Sequence, residues 1–159
     1  MSTTGLRTEV VCTPARTPEL LADHHRIRHA VFVRAQGIFA DSDVDAHDAA
    51  DGVVHVVATV GDTSVGTVRL FPVTGEPGLW QGDRLAVLDG WRTFGVGAPL
   101  VRFAVSYAGE HGGTRMVAHI QTANVVFFKR LGWSACGEPE DYVGRPHQPM
   151  EIALRAAAL

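Results

Sequence analysis

The chain has 159 residues, of which 46% are hydrophobic and 19% charged, a composition typical of a globular domain. Its net charge of −3 argues against the broad basic surface of a nucleic-acid-binding protein. Two cysteines, Cys12 and Cys136, are too few for a disulfide framework, and no apolar run approaches the length of a membrane span. We therefore expect a single domain over residues 1–159, located in a reducing cytoplasm and binding neither nucleic acid nor membrane.

Hydrophobic periodicity and turn residues predict alternating strands and helices along the chain. Thr17 and Pro18 are typical of a helix N-terminus, and Gly132 is typical of a helix C-terminus. The predicted strands are Arg7–Pro14, Val53–Val60, Thr63–Pro72, Leu85–Leu88, Arg115–Ile120, Trp133–Cys136 and Met150–Arg155. The predicted helices begin at Pro18, Pro99 and Ala123, and the predicted loops include 74–82, which holds Trp80, and 137–149. This order predicts a mixed α/β sheet whose central strands splay.

An acidic segment follows the first helix, with aspartates at 41, 43, 45 and 48. Alternating carboxylates are typical of a calcium-binding loop. The sixth position of that loop is Ala46 instead of glycine, and the twelfth is Gly52 instead of glutamate. The pattern therefore does not favour calcium.

The stretch from Arg84 to His111 combines an apolar strand, a glycine-rich turn and a helix that starts near Pro99. Helix N-termini present free N–H groups and the positive end of the helix dipole, and glycines let a ligand approach the backbone. This combination is typical of a phosphate-binding loop. The spacing is neither that of a Walker A loop nor G-x-G-x-x-G.

The loop resembles the Arg/Gln-x-x-Gly-x-Gly/Ala motif of the GNAT acyltransferases, with Arg92, Gly95, Gly97 and Ala98 at the motif positions. Three further stretches are similar to the same superfamily in the same order. They are Ile27–Gln36 with Asp45 and Asp48, Gln121–Trp133, and Gly144–Met150. The first and last resemble the ElaA-like group, and the whole is similar to N-acetyltransferases associated with nitrogen starvation. The set Arg28, Phe32, Asp45, Asp48 and Arg69 also resembles the acyl-homoserine lactone synthases.

This resemblance implies the GNAT acyl-CoA N-acyltransferase fold, of class α/β (α+β), with a mixed, mostly antiparallel sheet and splayed central strands flanked by helices. It also implies that acetyl-CoA is the co-substrate. The implied cofactor-binding residues are Leu85, Ala86, Val87, Arg92, Thr93, Phe94, Gly95, Val96, Gly97, Ala98, Asn124 and Phe128. A backbone N–H near Val87 or Leu88 would stabilise the oxyanion.

Acyl transfer to an amine needs a general base, because an ammonium group has no lone pair with which to attack. The candidates are His147, His119, His55 and Glu138. Many GNAT enzymes have a tyrosine where this chain has Phe128, and phenylalanine cannot protonate the departing thiolate. The acid is then another group, a water molecule or none at all. Ala35 replaces the glutamate of the ElaA-like motif.

A second group of residues carries alternating charges. The resemblance implies that Arg28, Phe32, Asp45, Asp48, Arg69 and Gln121 bind the acceptor. Two interpretations stay open, namely an acceptor pocket and a buried ion network that fixes the N-terminal loop. No histidine pair has zinc-site spacing with a third ligand, so we expect no metal.

We expect an N-acetyltransferase that acts on a small-molecule primary amine by direct transfer in a ternary complex. Two alternatives are a longer-chain N-acyltransferase that uses acyl-CoA or acyl carrier protein, and a GNAT-fold sensor that binds acetyl-CoA without turnover. Homodimers are common among such folds, so a homodimer is the expected oligomer.

Overall fold

The computed structural model describes residues 9–155. Its strands are β1 (Val10–Pro14), β2 (Val54–Val60), β3 (Thr63–Pro72), β4 (Leu79–Val87), β5 (Arg115–Gln121), β6 (Ser134–Ala135), β7 (Glu140–Tyr142) and β8 (Arg145–Ala153). Its α-helices are α1 (Pro18–Arg28), α2 (Gly97–Glu110) and α3 (Val125–Arg130). A π-helix covers His29–Ala35, and 3₁₀ helices cover Ala46–Ala49, Asp89–Phe94 and Thr122–Asn124.

The strands form one eight-stranded sheet in the order β1-β2-β3-β4-β5-β8-β6, and β7 also pairs with β8. The sheet is mixed and mostly antiparallel, as predicted. β4 and β5 pair in parallel over Leu79–Gln81 and Arg115–Val117, and β4 continues beyond that ladder to Val87. Over residues 9–155, no helix is long and apolar enough to cross a membrane.

Most predicted elements are present, and the differences have local causes. Trp80 is buried in β4 instead of lying in a loop, because the turn that precedes the strand ends at Gly78, whose φ is 81°. A 3₁₀ helix occupies Asp89–Phe94, where the sequence predicts only a turn. Part of the strand predicted from Arg7 lies outside the described residues.

The predicted loop 137–149 is the largest correction, since it contains β7 and the start of β8. Tyr142 pairs with Arg145, so Val143 and Gly144 form a two-residue hairpin turn. Their φ angles are 46° and 78°, as a type I′ turn requires.

Contacts group the chain into two compact units, each assembled from three segments. Among the described residues, the first unit takes in residues 9–44, 54–69 and 84–103. Its core includes a cluster in which Ile27, Val31 and Phe32 pack with Ala86. Val31 and Phe32 follow Ile27 by four and five residues, and both lie in the π-helix, whose i→i+5 hydrogen bonds suit the wider of these two spacings.

Among the described residues, the second unit takes in residues 45–53, 70–83 and 104–155. Met116, Ala118 and Ile120 are buried on one face of β5, and Met150 lies opposite Ala118 in the ladder with β8. Because side chains alternate along a strand, His119 and Gln121 lie on the other face.

His24 belongs to a series of buried, hydrogen-bonded polar side chains in the first unit. Its Nδ1 is 3.0 Å from the carbonyl oxygen of Val56, and its Nε2 is 3.2 Å from Nη1 of Arg28. A carbonyl only accepts and a guanidinium only donates, so His24 is the neutral tautomer with hydrogen on Nδ1. Burial is the main reason that its pKa is lowered to about 3, and the charge of Arg28 adds to this effect.

A histidine held neutral in the fold makes stability depend on pH. In the unfolded chain His24 takes up a proton near pH 6.5, whereas in the folded chain it does so only near pH 3. The free energy of unfolding should therefore fall as pH drops below about 6.5, with a slope from this group of up to ~1.4 kcal/mol per pH unit.

His24→Gln keeps a donor and an acceptor but cannot titrate, so it should flatten this slope between about pH 6.5 and 4.5 in urea unfolding experiments. His29→Gln, at an exposed position, is the matched control. An unchanged slope in His24→Gln would contradict the assignment.

Candidate active site

The predicted phosphate loop lies in the first unit, between β4 and α2. After Val87 the chain forms the 3₁₀ helix Asp89–Phe94, then turns at Gly95, whose φ of 83° is left-handed. α2 begins at Gly97. A β-carbon at Gly95 would meet nothing within 4 Å, so the backbone angle, and not crowding, requires glycine there.

Tight packing fixes the N-terminus of α2. Val96 and Leu100 are fully buried. A β-carbon at Gly66 of β3 would lie 3.0 Å from side-chain atoms of both residues, so glycine permits this close approach of helix and strand. The loop residues Arg92, Thr93, Phe94 and Gly95 are nevertheless exposed. The start of α2 is therefore tightly packed, whereas the loop that precedes it is exposed to solvent. We call the packed start of α2 the rigid base of the loop.

The electrostatics of this loop suit an anion. The first N–H groups of a helix have no intrahelical acceptor, and the helix dipole is positive at that end. Pro99 lies in the first turn of α2, where its missing N–H costs no hydrogen bond. The exposed guanidinium of Arg92 adds a positive charge beside the turn. The residues present fit the pyrophosphate of coenzyme A.

The two predicted oxyanion donors at the end of β4 differ. The N–H of Leu88 donates to the carbonyl oxygen of Val65 at 2.9 Å, so it is already engaged with the β3 side. Backbone groups alternate in direction along a strand, and the N–H of Val87 therefore points to the opposite edge of β4. Of the two alternatives, the N–H of Leu88 already has an acceptor, which leaves the N–H of Val87 as the candidate oxyanion donor.

Arg84 interrupts β4 with a φ of 53°, a conformation that costs a residue other than glycine about 1–3 kcal/mol. Its side chain is held by Asp43, whose carboxylate oxygen Oδ2 is 3.0 Å from Nε and whose carbonyl oxygen is 2.8 Å from Nη2. The guanidinium also lies 4.8 Å from the ring centroid of Phe39. Asp43 thus stabilises the strained residue.

The same carboxylate binds Arg28. Nε of Arg28 is 2.6 Å from Oδ2 of Asp43, and both side chains are almost completely buried. Arg28 and Arg69 are fully buried, and Phe32 lies in the apolar cluster with Ile27. These observations favour the buried ion network over an acceptor pocket for Arg28.

Asp45 and Asp48, in the second unit, form a capping box for the 3₁₀ helix Ala46–Ala49. Asp45 accepts from the N–H of His47 at 3.0 Å, and Asp48 accepts from the N–H of Asp45 at 3.0 Å. Helix capping accounts for this part of the alternating acidic pattern.

In the second unit, the hairpin brings polar side chains together on one face of β5, β8 and β7. His147 lies between Gln121 and Glu140 in the two ladders, and cross-strand partners share a face. His119 and Tyr142, two residues away along their strands, share it too. We call this set the polar cluster: His119, Gln121, Glu140, Tyr142 and His147.

Within the polar cluster, His147 has the geometry of a general base. Its Nδ1 lies 2.8 Å from the carbonyl oxygen of Arg145, so Nδ1 carries the hydrogen and donates it. In the neutral ring, Nε2 then presents the lone pair. The residue is only 4% exposed, and the ring of Tyr142 lies edge-on to it at 5.3 Å.

Several predicted residues lie outside the contacts that join the polar cluster. His55 is in the first unit, with its ring 4.8 Å from that of His24. Glu138 is exposed in the loop before β7. Asn124 is exposed, and Phe128 is 5% exposed with its ring edge-on to Trp133.

Glu140 and Tyr142 were not predicted from the sequence. Glu140 is the residue that pairs with His119, at 2.5 Å between Oε1 and Nδ1. The alternation of Glu138, Glu140 and Tyr142 ahead of a Val-Gly turn is the signal that could have indicated the hairpin.

Comparison with known proteins gives one consistent assignment. Residues 20–133 match the family model described as "Acetyltransferase (GNAT) family". YjcF of Bacillus subtilis, described as an uncharacterized N-acetyltransferase, is 29% identical over 137 residues, which cover 86% of this chain and 94% of YjcF. A second B. subtilis acetyltransferase is 31% identical over 76% of this chain and 81% of its own length.

Solved structures share the fold. An N-acetyltransferase from Lactobacillus plantarum aligns with a TM-score of 0.81 and 26% identity, covering 91% of this chain and 98% of that one. Escherichia coli ElaA aligns with a TM-score of 0.78 and 20% identity over 90% and 97% of the two chains. The acyl-homoserine lactone synthase BjaI, solved with SAM and isopentyl-CoA, aligns with a TM-score of 0.74 and 19% identity over 92% and 83%.

Removing the charge of Asp43 should destabilise the protein, because it disrupts the buried ion-pair network around this residue. Asp43→Asn preserves the shape of the side chain but leaves two buried guanidiniums without their shared carboxylate. We expect it to lower the free energy of unfolding in urea by about 3–5 kcal/mol. Asp41→Asn, the same change at an exposed position of the same segment, should cost less than about 0.5 kcal/mol. Equal effects of the two changes would contradict the network.

Proposed function

The chain belongs to the GNAT acetyltransferase family, and on that premise we propose that it transfers an acetyl group from acetyl-CoA to the primary amine of a small metabolite. Transfer is direct, within a ternary complex of enzyme, acetyl-CoA and amine. The observation that carries this proposal is the open glycine turn on a rigid base at the start of α2.

The phosphate loop binds the donor in this proposal. The N–H groups at the start of α2 hydrogen-bond to the pyrophosphate of coenzyme A, and Arg92 contributes a cation. Gly95 supports this role, since its left-handed φ turns the chain into the helix. The apolar anchors Val96 and Leu100 support it as well, because they fix the direction of the N–H groups before ligand binds.

The end of β4 stabilises the reacting carbonyl. As the amine attacks the thioester carbon, negative charge develops on the carbonyl oxygen, and a backbone donor stabilises that oxyanion. The N–H of Val87 fits this role because it points away from β3, whereas the N–H of Leu88 is engaged by Val65.

His147 activates the acceptor. Nε2 takes one proton from the ammonium group, and the nitrogen lone pair then forms a bond to the thioester carbon. The carbon–sulfur bond breaks, and the electron pair leaves with coenzyme A as a thiolate. The second amine proton lost on transfer goes to solvent. Phe128 cannot protonate the thiolate, which is a good enough leaving group to depart without an acid.

Thiol release tests this mechanism. The wild-type protein, mixed with acetyl-CoA and a panel of small primary amines, should release free coenzyme A with at least one amine and form the N-acetyl product. His147→Ala should lower kcat about 10²–10⁴-fold and leave the Kd for acetyl-CoA unchanged.

His111→Ala is the matched control, because His111 is an exposed histidine just after the end of α2, with its ring Nδ1 2.8 Å from the carbonyl oxygen of Tyr107. Its kcat should equal that of the wild type. Unchanged kinetics in His147→Ala would return His147 to a structural role. Binding of acetyl-CoA without release from any amine would favour the sensor.

A further inference from the structure

The polar cluster contains more than the base. Glu140 is the ladder partner of His147, so the two side chains start about 5 Å apart on the same face of the sheet. The carboxylate of Glu140 is 44% exposed, and the ring of its partner His119 is 39% exposed. A negative charge accessible to solvent therefore lies directly beside the buried imidazole.

Two aromatic rings, those of His119 and Tyr142, belong to the same cluster as the carboxylate of Glu140. The rings of His119 and Tyr142 are stacked, with centroids 5.6 Å apart and planes inclined by 13°. Tyr142 is 38% exposed although its ring also contacts His147. A carboxylate next to exposed aromatic rings is a combination that attracts organic cations, through charge and through the electron-rich faces of the rings.

The hairpin holds these groups in place. β7 is tied to β8 through a two-residue turn, so Glu140 and Tyr142 are positioned by the same strand that carries His147. Asp141, between them, faces the other side of the strand, with Pro146 as its ladder partner. The alternation of side chains along β7 therefore places Glu140, and not Asp141, in the polar cluster.

We propose that Glu140, with the rings of His119 and Tyr142, binds the acceptor as an ammonium ion and presents it to Nε2 of His147. This inference rests on the proposed function and deepens it, since it makes Glu140 a specificity-determining residue for cationic acceptors. On binding, the ammonium replaces Nδ1 of His119 as the partner of the carboxylate. Attack on the thioester leaves positive charge on the nitrogen until its second proton departs to solvent, and Glu140 stabilises that charge as well.

Binding of an unacetylated probe tests this without turnover. The probe is phenethylamine hydrochloride at neutral pH, and 2-phenylethanol is its uncharged counterpart of similar shape. Ring signals of His119, His147 and Tyr142 are followed by NMR during titration of the wild-type protein. We expect phenethylammonium to shift these signals and to bind at least about 10-fold more tightly than the alcohol.

Glu140→Gln keeps the size and hydrogen-bonding capacity of the side chain but removes the charge. It should abolish the preference for the cation and raise the KM for amine about 10-fold or more, with the Kd for acetyl-CoA unchanged. Asp141→Asn, which removes one charge from the adjacent residue on the opposite face, should retain the preference.

The outcomes separate this inference from the proposed function. Equal binding of cation and alcohol by the wild type, or equal effects of Glu140→Gln and Asp141→Asn, would overturn the inference even if acetyl transfer occurs. A Glu140-dependent preference for the cation would support it even if no amine released coenzyme A, and in that case the proposed transfer alone would fail.

Discussion

One buried carboxylate, that of Asp43, organises the first unit. It binds two guanidiniums that come from distant parts of the sequence, Arg28 at the end of α1 and Arg84 in the middle of β4. Buried charges cost free energy unless they are paired and hydrogen-bonded. Displacing the chain segment that carries Asp43 would remove the shared carboxylate from both guanidiniums, so these ion pairs fix the position of that segment. His24 extends the chain by accepting from Arg28 and donating to β2.

This arrangement matters for the phosphate loop because Arg84 has a left-handed backbone conformation within β4. Such a conformation persists only where the surrounding structure holds it, and here Asp43 and Phe39 contact the side chain. Beyond Arg84 the strand ends at Val87 and leads into the loop. The direction of the Val87 N–H therefore depends on an ion pair that has no part in the chemistry.

How much the sequence predicts differs between these parts. The strand, glycine turn and helix around Arg92 were predictable, because local periodicity and backbone preferences determine them. The pairing of Arg28 with Asp43 was not, because several aspartates of the same segment could have served and only the tertiary structure selects among them. Asp45 and Asp48 were better explained by capping, yet their spacing also resembled a metal loop.

The hairpin shows a second reason for failure. The hairpin contains or adjoins three prolines, Pro139, Pro146 and Pro149. Because a proline in a strand removes a hydrogen-bond donor of the ladder, the sequence predicts a loop for this segment. The strand forms because ladder pairing extends on both sides of β8, with β5 on one side and β6 and β7 on the other. His147 was predicted, whereas Glu140 and Tyr142 became visible only once this pairing placed them beside it.

The most direct test of the account is calorimetric titration of the protein with acetyl-CoA, since every functional role depends on donor binding at the α2 N-terminus. We expect the wild type to bind, Gly97→Trp to lose binding while keeping its fold by circular dichroism, and Glu110→Trp, a bulky change at the exposed far end of α2, to bind as the wild type does. Undiminished affinity in Gly97→Trp, or no binding by the wild type, would contradict the assignment of the loop.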